Sequence, residues 1–277
     1  MAIARRNPVG AAAACLLLFA ALVALFGPYA PLPDPETPDL VARLQPPLSR
    51  GADGTLHLAG TDQLGRDVLA RTVAGARISL GIALSAALLA GTIGTALGLL
   101  SGYRGGFIDL AVMRLVDLQM AFPSLLLAIF LLYLLGATLT NLVILLVIFS
   151  WAGFARVARA ETLRLRSAPF IEGAIAVGAG TPRILIRHIT PHILPVAAVV
   201  AVLDFASVMV AEASLSFLGL GVQPPGSSWG LMLAQSREFL YAGAWWLFAV
   251  PGGSLFVVTL CANLASRWLQ ELLAPGA

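Results

Sequence analysis

Long intervals without a charged residue set the terms for this chain. An ionised side chain at the middle of a bilayer costs about 2.5–3.5 kcal/mol on insertion scales, so charges collect at the ends of spans and the intervals between them count the crossings. One interval lies between Arg6 and Asp34, its apolar centre running from Ala11 to Phe26, and a second separates Arg77 from Arg104. The interval from Asp117 to Arg156 is far longer than one helix needs to cross a hydrocarbon layer of about 30 Å. It contains a polar break at Gly136-Ala-Thr-Leu-Thr-Asn141, which divides it into a third and a fourth span. A fifth runs from about Ile193 to Leu215, and a sixth from about Gly243 to Ala265 across Pro251. The expectation is an all-α membrane protein of six transmembrane helices with both termini on one side. Residues 1–27 form the N-terminus and first helix, 28–76 an extracytoplasmic segment, and 77–277 a five-helix core with an inner loop at about 156–191.

The direction of insertion follows from arginine, because no lysine occurs. With the N-terminus inside, the inner segments hold eleven arginines and the outer segments six, the excess that the positive-inside rule counts. The orientation is N-in, C-in, in a cytoplasmic (inner) membrane surrounded by lipid. Arg5-Arg6 before an apolar stretch also fits a cleaved export signal, but the run is longer than a signal core, and its loss would leave an odd number of spans. Charged residues make up 11% of the chain, against about a quarter in soluble domains. No basic run is interleaved with aromatics, so nucleic acid is not an expected partner. Cys15 and Cys261 sit in separate apolar segments and imply neither a disulfide framework nor a zinc site.

The inner loop from Arg156 to Pro191 is too long to be mere connection. Arg156 to Arg166 continues the fourth span as a helix. Ser167-Ala168-Pro169 reads as a helix opening, with serine as cap and proline in the first turn. Phe170, Ile171, Ala174, Ile175 and Val177 then give a short helix an apolar surface, ended near Gly178-Ala179-Gly180.

The pattern Glu172-Gly173-Ala174, then Gly178, then His188-Ile189-Thr190-Pro191 resembles the EAA loop of ABC-importer permeases. Gly173 stands where that family usually has alanine, and His188 and Thr190 replace an aliphatic pair. Gly60-Thr-Asp-Gln-Leu-Gly-Arg-Asp67, Gly75-Ala-Arg-Ile-Ser-Leu80, Glu212-Ala-Ser-Leu-Ser-Phe-Leu-Gly-Leu-Gly221 and Ser228-Trp-Gly230 resemble the C-type permease of dipeptide, oligopeptide and nickel transporters. The likeness implies a type I ABC-importer permease fold. It also implies three kinds of partner: a second related permease, two cytoplasmic ATPase subunits, and an extracytoplasmic solute-binding protein. ATP and magnesium would be bound by the ATPases, with no cofactor and no catalytic residue in this chain. A phosphate-binding loop needs a lysine, which the sequence lacks.

On this resemblance, Pro169, Phe170, Ile171, Glu172, Gly173, Ala174, Gly178, Ala179 and Pro191 are the ATPase-coupling residues. Phe170 and Ile171 serve as apolar anchors and Gly178 permits a sharp turn. An amphipathic helix lying on the lipid surface is the plainer alternative. Asp204 and Glu212, acids in the fifth span, are the translocation-path candidates, since intramembrane acids are usually functional or paired; for Glu212 a role in holding the following turn is favoured. Asp62 with Arg66 and Asp67 with Arg71 have the i,i+4 spacing of a surface helix. Asp62, Arg66, Asp67, Gln223 and Trp229 are the candidates for docking a binding protein. Gly91, Gly94, Gly98 and Gly102 form a stripe that suits close helix packing. His188 and His192 are four apart, but Pro191 between them is expected to interrupt the helix, and no metal site is expected. The transported solute is expected to be a di- or oligopeptide, with nickel or another small solute as the alternative. A proton-coupled secondary transporter using Asp204 or Glu212 stands behind these, and a non-transporting scaffold is the third option.

Overall fold

The computed structural model describes residues 7–51 and 54–273; Arg5 and Arg6, counted above in assigning direction, lie outside the described residues. Helix α1 covers Pro8–Phe26, and the Asn7 side chain accepts the Gly10 amide at 3.0 Å to start it. The connection that follows carries two short helical turns and one antiparallel hairpin, β1 (Ser49–Arg50) with β2 (Leu56–His57), Ser49 opposite His57. Helix α2, Val68–Arg104, is 37 residues long. After it come α3 (Gly106–Ala121), α4 (Ser124–Leu135), α5 (Leu139–Arg166) and the short α6 (Pro169–Ala176). One turn, α7 (Thr181–Arg183), and a π-helical stretch, Ile184–Ile189, lead directly into α8 (Thr190–Phe217). Then come α9 (Trp229–Ser236) and α10 (Trp246–Leu273).

Five of these helical runs are long and apolar enough to cross a membrane: α1, α2, α5, α7 through α8, and α10. The third expected span is different. α3 and α4 meet at a bend of 89°, so a sixth crossing exists only if the bent pair is counted as one. Pro123 accounts for the break, since a residue before proline is driven out of the helical region and Phe122 is extended (φ −92°, ψ 140°). At 1.5 Å per residue, the 12 residues of α4 reach about 18 Å, too short to span alone.

Two further expectations are corrected. Residues 62–66 form a tight turn closed by a bridge between Thr61 and Asp67, not a surface helix. The Asp62 carboxylate accepts the amides of Leu64 and Arg66, at 2.8 and 3.0 Å, and this local bonding outcompetes a helix. Pro191 does not interrupt its helix, for α7, the π stretch and α8 are continuous from Thr181 to Phe217. Near the proline, the carbonyl of Leu185 receives both the amide of Thr190 and its hydroxyl, the latter at 2.8 Å, which repairs the ladder.

The buried residues fall mainly into two clusters. One joins Val68, Leu80, Leu142, Met209, Leu215, Trp229 and Trp246 toward the hairpin. The other joins Leu99, Leu165, Ile171, Ile184, Ile189 and Ile193 at the opposite end, beneath α6. Between them, α2 lies directly on α5 through the expected glycine stripe. A Cβ added at Gly94 would sit 2.3 Å from the Trp151 carbonyl oxygen, and one at Gly98 equally close to that of Ala155. Gly98→Leu is therefore expected to destabilise the fold by at least about 1–3 kcal/mol, the usual cost of overpacking. Thermal unfolding of the detergent-solubilised protein should report it, while Gly81→Ala on the same helix, where nothing lies within 4 Å of the added carbon, should leave the transition in place.

Candidate functional site

Helix α6 leaves the end of α5 at a sharp corner. Pro169 stands in its first turn, where the missing amide costs nothing. The residue ahead of it is Ala168, and the expected serine cap is not formed: the Ser167 hydroxyl donates to the Arg164 carbonyl, at 3.4 Å, because Ser167 closes α5. Ile171 is completely buried under the helix, whereas Phe170, Ile175 and Val177 are exposed. Phe170 and Ile171 thus do not form a common outward surface, since successive residues point about 100° apart around a helix. Glu172 and Gly173 are exposed, and Glu172 pairs with no basic side chain among the described residues. Gly178, at φ +83°, reverses the chain, its amide returning to Ile175 at 2.9 Å and that of Ala179 to Ala174 at 3.0 Å. Below α6, Asp109 accepts a two-pronged contact from Arg159, one arm at 2.6 Å, which ties α3 to α5.

At the other end two of the docking candidates, Asp62 and Arg66, meet Arg71 in a clasp. Asp62 Oδ2 receives Arg66 Nε at 2.8 Å and Arg71 Nη1 at 2.6 Å. Arg71 is itself buried and reaches Ser227 Oγ at 3.3 Å and Gln235 Oε1 at 3.1 Å, so one guanidinium joins the 62–66 turn, α2 and α9. Asp67 does not pair with Arg71. One of its oxygens caps α2 at the Ala70 amide, at 2.8 Å, and the other lies 2.9 Å from His57 Nδ1. The Trp246 indole donates to the Thr61 carbonyl at 3.1 Å, and that of Trp229 to Thr72 at 2.8 Å. Among the docking candidates, Asp62, Asp67 and Trp229 are buried, Arg66 is partly covered and Gln223 is exposed.

Deeper along α8, Glu212 is fully buried in a knot of serines. Ser216 donates to Oε1 at 2.7 Å and Ser79 to Oε2 at 3.3 Å, and the Ser228 hydroxyl also bonds the carboxyl. Each hydroxyl of Ser79 and Ser216 in turn accepts an amide, from Trp229 at 3.1 Å and Val222 at 3.2 Å. A Cβ on Gly221 would fall 1.9 Å from Ser216 Oγ, and one on Gly230 would fall 2.6 Å from Ala213 Cα. The motifs at 75–80, 212–221 and 228–230 are therefore one assembly. Asp204 sits apart, on the wall of a cavity of about 230 Å³ between α4, α5 and α8, with Ser124, Ser150 and Ser207.

Sequence reasoning missed the clasp of Arg71 with Ser227 and Gln235 and the pair Asp109–Arg159. The partners are separated by 156, 164 and 50 residues, and no local pattern announces them. The contact of His57 with Asp67, only 10 residues away, is a further one that it missed. Breaking a buried pair by removing one member typically costs about 3–5 kcal/mol, because the remaining charge loses its partner. Arg71→Met is expected to destabilise the hairpin end by that order, read as a lowered unfolding midpoint and faster proteolysis within residues 28–67.

Comparison with known proteins agrees with this architecture. A profile of the family described as binding-protein-dependent transport system inner membrane component matches residues 94–276. The di/tripeptide transport system permease protein DppC of Pseudomonas aeruginosa is 37% identical, the match covering 94% of this chain and 86% of that protein. The dipeptide transport system permease protein DppC of Alkalihalophilus pseudofirmus is 38% identical, covering 92% and 81%. The nickel transport system permease protein NikC of Escherichia coli K12 is 35% identical, covering 94% and 91%. Among solved structures, a chain of the MetNI methionine ABC transporter in inward-facing conformations superposes with a TM-score of 0.57 at 19% identity, covering 72% of this chain and 94% of that one. The fold is that of a type I ABC-importer permease, and the chain belongs to the family of binding-protein-dependent transport system inner membrane components.

Proposed function

We propose that this chain is one half of a peptide-conducting channel driven by ATP hydrolysis in separate subunits. It pairs with a second, related permease; two cytoplasmic ATPases engage α6; and an extracytoplasmic binding protein delivers di- or oligopeptides to the hairpin end. The observation that carries this reading is α6 itself: a short helix locked from beneath by Ile171, with Phe170, Ile175 and Val177 left exposed. A rigid body with an exposed apolar face suits a groove on another protein, and coupling requires contacts that differ between two states. The lack of any lysine, and so of a phosphate-binding loop, supports assigning hydrolysis, with its ATP and magnesium, to the partners.

In this reading the N-terminus, the C-terminus and α6 face the cytoplasm, as the arginine distribution favours. Gln223, exposed beside Pro224 and Pro225, belongs to the surface offered to the binding protein. Asp62, Arg66, Asp67 and Trp229 hold that surface in shape from within. Peptide is the preferred solute because two of the three relatives described above are named for di- or tripeptides, and the nickel permease supports the second reading.

Reconstitution with the partner subunits tests these points together. Uptake of labelled dipeptide should stop when ATP is withdrawn and survive collapse of the proton gradient; the reverse pattern would identify a secondary transporter, and uptake of nickel but not peptide would move the substrate to the metal. Gly178→Val should cut ATP-dependent uptake and ATPase copurification at least about tenfold while the chain stays in the membrane, since a left-handed backbone costs a side chain roughly 1–2 kcal/mol and tilts the corner. Gly173→Ala, at a position with nothing within 4 Å of the added carbon, should transport normally.

A further inference from the structure

Every other acid discussed above from the interior has both carboxyl oxygens engaged: Asp62 by two arginines and two amides, Asp67 by a histidine and an amide, Asp109 by an arginine, and Glu212 by serines. Asp204 differs. It stands near the middle of α8, and its Oδ2 is buried without a hydrogen-bond partner. It forms no ion pair among the described residues, and no basic side chain lines its cavity. A carboxylate at mid-span without a counter-charge is costly unless its compensation arrives from elsewhere.

The surroundings specify what would compensate it. Ser124, Ser150 and Ser207 bring hydroxyls to the same wall, and Leu125 and Phe149 supply apolar surface. The Ser150 hydroxyl hydrogen-bonds the carboxyl, whose Oδ2 alone is left without a partner. Ser207 donates its hydrogen to the Leu203 carbonyl at 3.2 Å, which leaves its lone pairs to accept. A carboxylate without a counter-charge beside hydroxyl acceptors matches a primary ammonium group, which has three donors and no acceptor. It is a poor match to nickel, for which imidazole nitrogen is a favoured donor, since no histidine lines the cavity. The volume, about 230 Å³, falls below the roughly 300–1,000 Å³ of sites that enclose a whole small molecule, so the cavity suits one end of a ligand. Ser124, the first residue of α4 after the bend at Pro123, stands on this wall.

We propose that the cavity at Asp204 is a recognition station for a primary ammonium group, the free amino end of a short peptide, on the route across the membrane. The proposal rests on the reading of this chain as a peptide permease and adds to it the residue that distinguishes one end of the substrate from the other. Asp204 supplies the charge, and the serines complete the hydrogen bonds.

The test uses the assembled transporter in proteoliposomes. Cys15 and Cys261 are replaced by alanine, and Ala211→Cys places a thiol on the cavity wall. A cationic methanethiosulfonate is expected to modify that thiol about tenfold faster than an anionic one of similar size, the low end of what a charged cleft does to local ion concentration. Asp204→Asn should abolish the preference and Asp204→Glu should keep it. Dialanine should slow the cationic reagent, and N-acetylated dialanine should not. An unreactive thiol, a preference indifferent to Asp204→Asn, or equal protection by both peptides would overturn the proposal. ATP-dependent dialanine uptake by the unmodified complex is measured in parallel. If uptake proceeds and the preference ignores Asp204, the station fails and the peptide permease stands. If uptake is absent while the preference follows Asp204 and only free dialanine protects, the ammonium station stands and the transport reading fails.

Discussion

Between α2 and α5 the peptide backbones meet with almost no side chains in the way. Gly94 and Gly98 each face a carbonyl oxygen of α5 at a distance that would leave no room for a methyl group. In lipid, where apolar side chains gain little by leaving their surroundings, such contacts hold helices together through close dispersion and aligned backbones. The rest of the molecule is built outward from this seam. At one end it fixes the terminus of α5 and hence the corner from which α6 departs, with Arg166 reaching back to the carbonyl of Tyr103. At the other end it carries the first turns of α2, where Arg71 meets Gln235 of α9 and Ser79 meets Glu212 of α8.

The hairpin end and the α6 end answer different demands. Toward the hairpin, polar groups are gathered inside and bonded to one another, so Asp62, Arg71 and Glu212 are all buried and all satisfied. The result is a closed plate whose outer edge, near Gln223, is free for contact. At α6 the arrangement is inverted: the interior is aliphatic, from Leu99 to Ile193, and the exposed face is apolar as well.

What could be read in the sequence is what depends on single residues or local periods. Charge-free intervals located five of the helices, and the glycine stripe located the seam, because both follow from the cost of placing a group in one environment. The family resemblance pointed to α6, and Gly178 fulfils there a backbone requirement visible without coordinates. The errors share a cause as well. Asp62 and Arg66 have helical spacing, but two amides within reach of the same carboxylate form a turn first. Phe122-Pro123 breaks the third span although its hydropathy is unbroken, since window averages do not register a missing amide. Pro191 was expected to stop a helix that in fact absorbs it through a π-helical turn. The satisfied interior was illegible, because Arg71 and Gln235 find each other only after α2 and α9 are in place.

The unbroken helix from Thr181 to Phe217 touches three of these regions in succession: Ile184 under α6, Asp204 on its cavity, and Glu212 among the serines. Its Glu212 end is tethered to α2 through Ser79, while its Ile184 end rests on aliphatic contacts. Treated as a straight oar in a rowlock at Glu212, it places Asp204 about 12 Å from the pivot and Ile184 about 42 Å from it, at 1.5 Å per residue. A stroke of about 4 Å at the handle then becomes about 1 Å at the carboxylate, by the same geometry. Such gearing would convert a coarse push into a movement on the scale of one hydrogen bond, enough to release a held cation without unseating the groups around it.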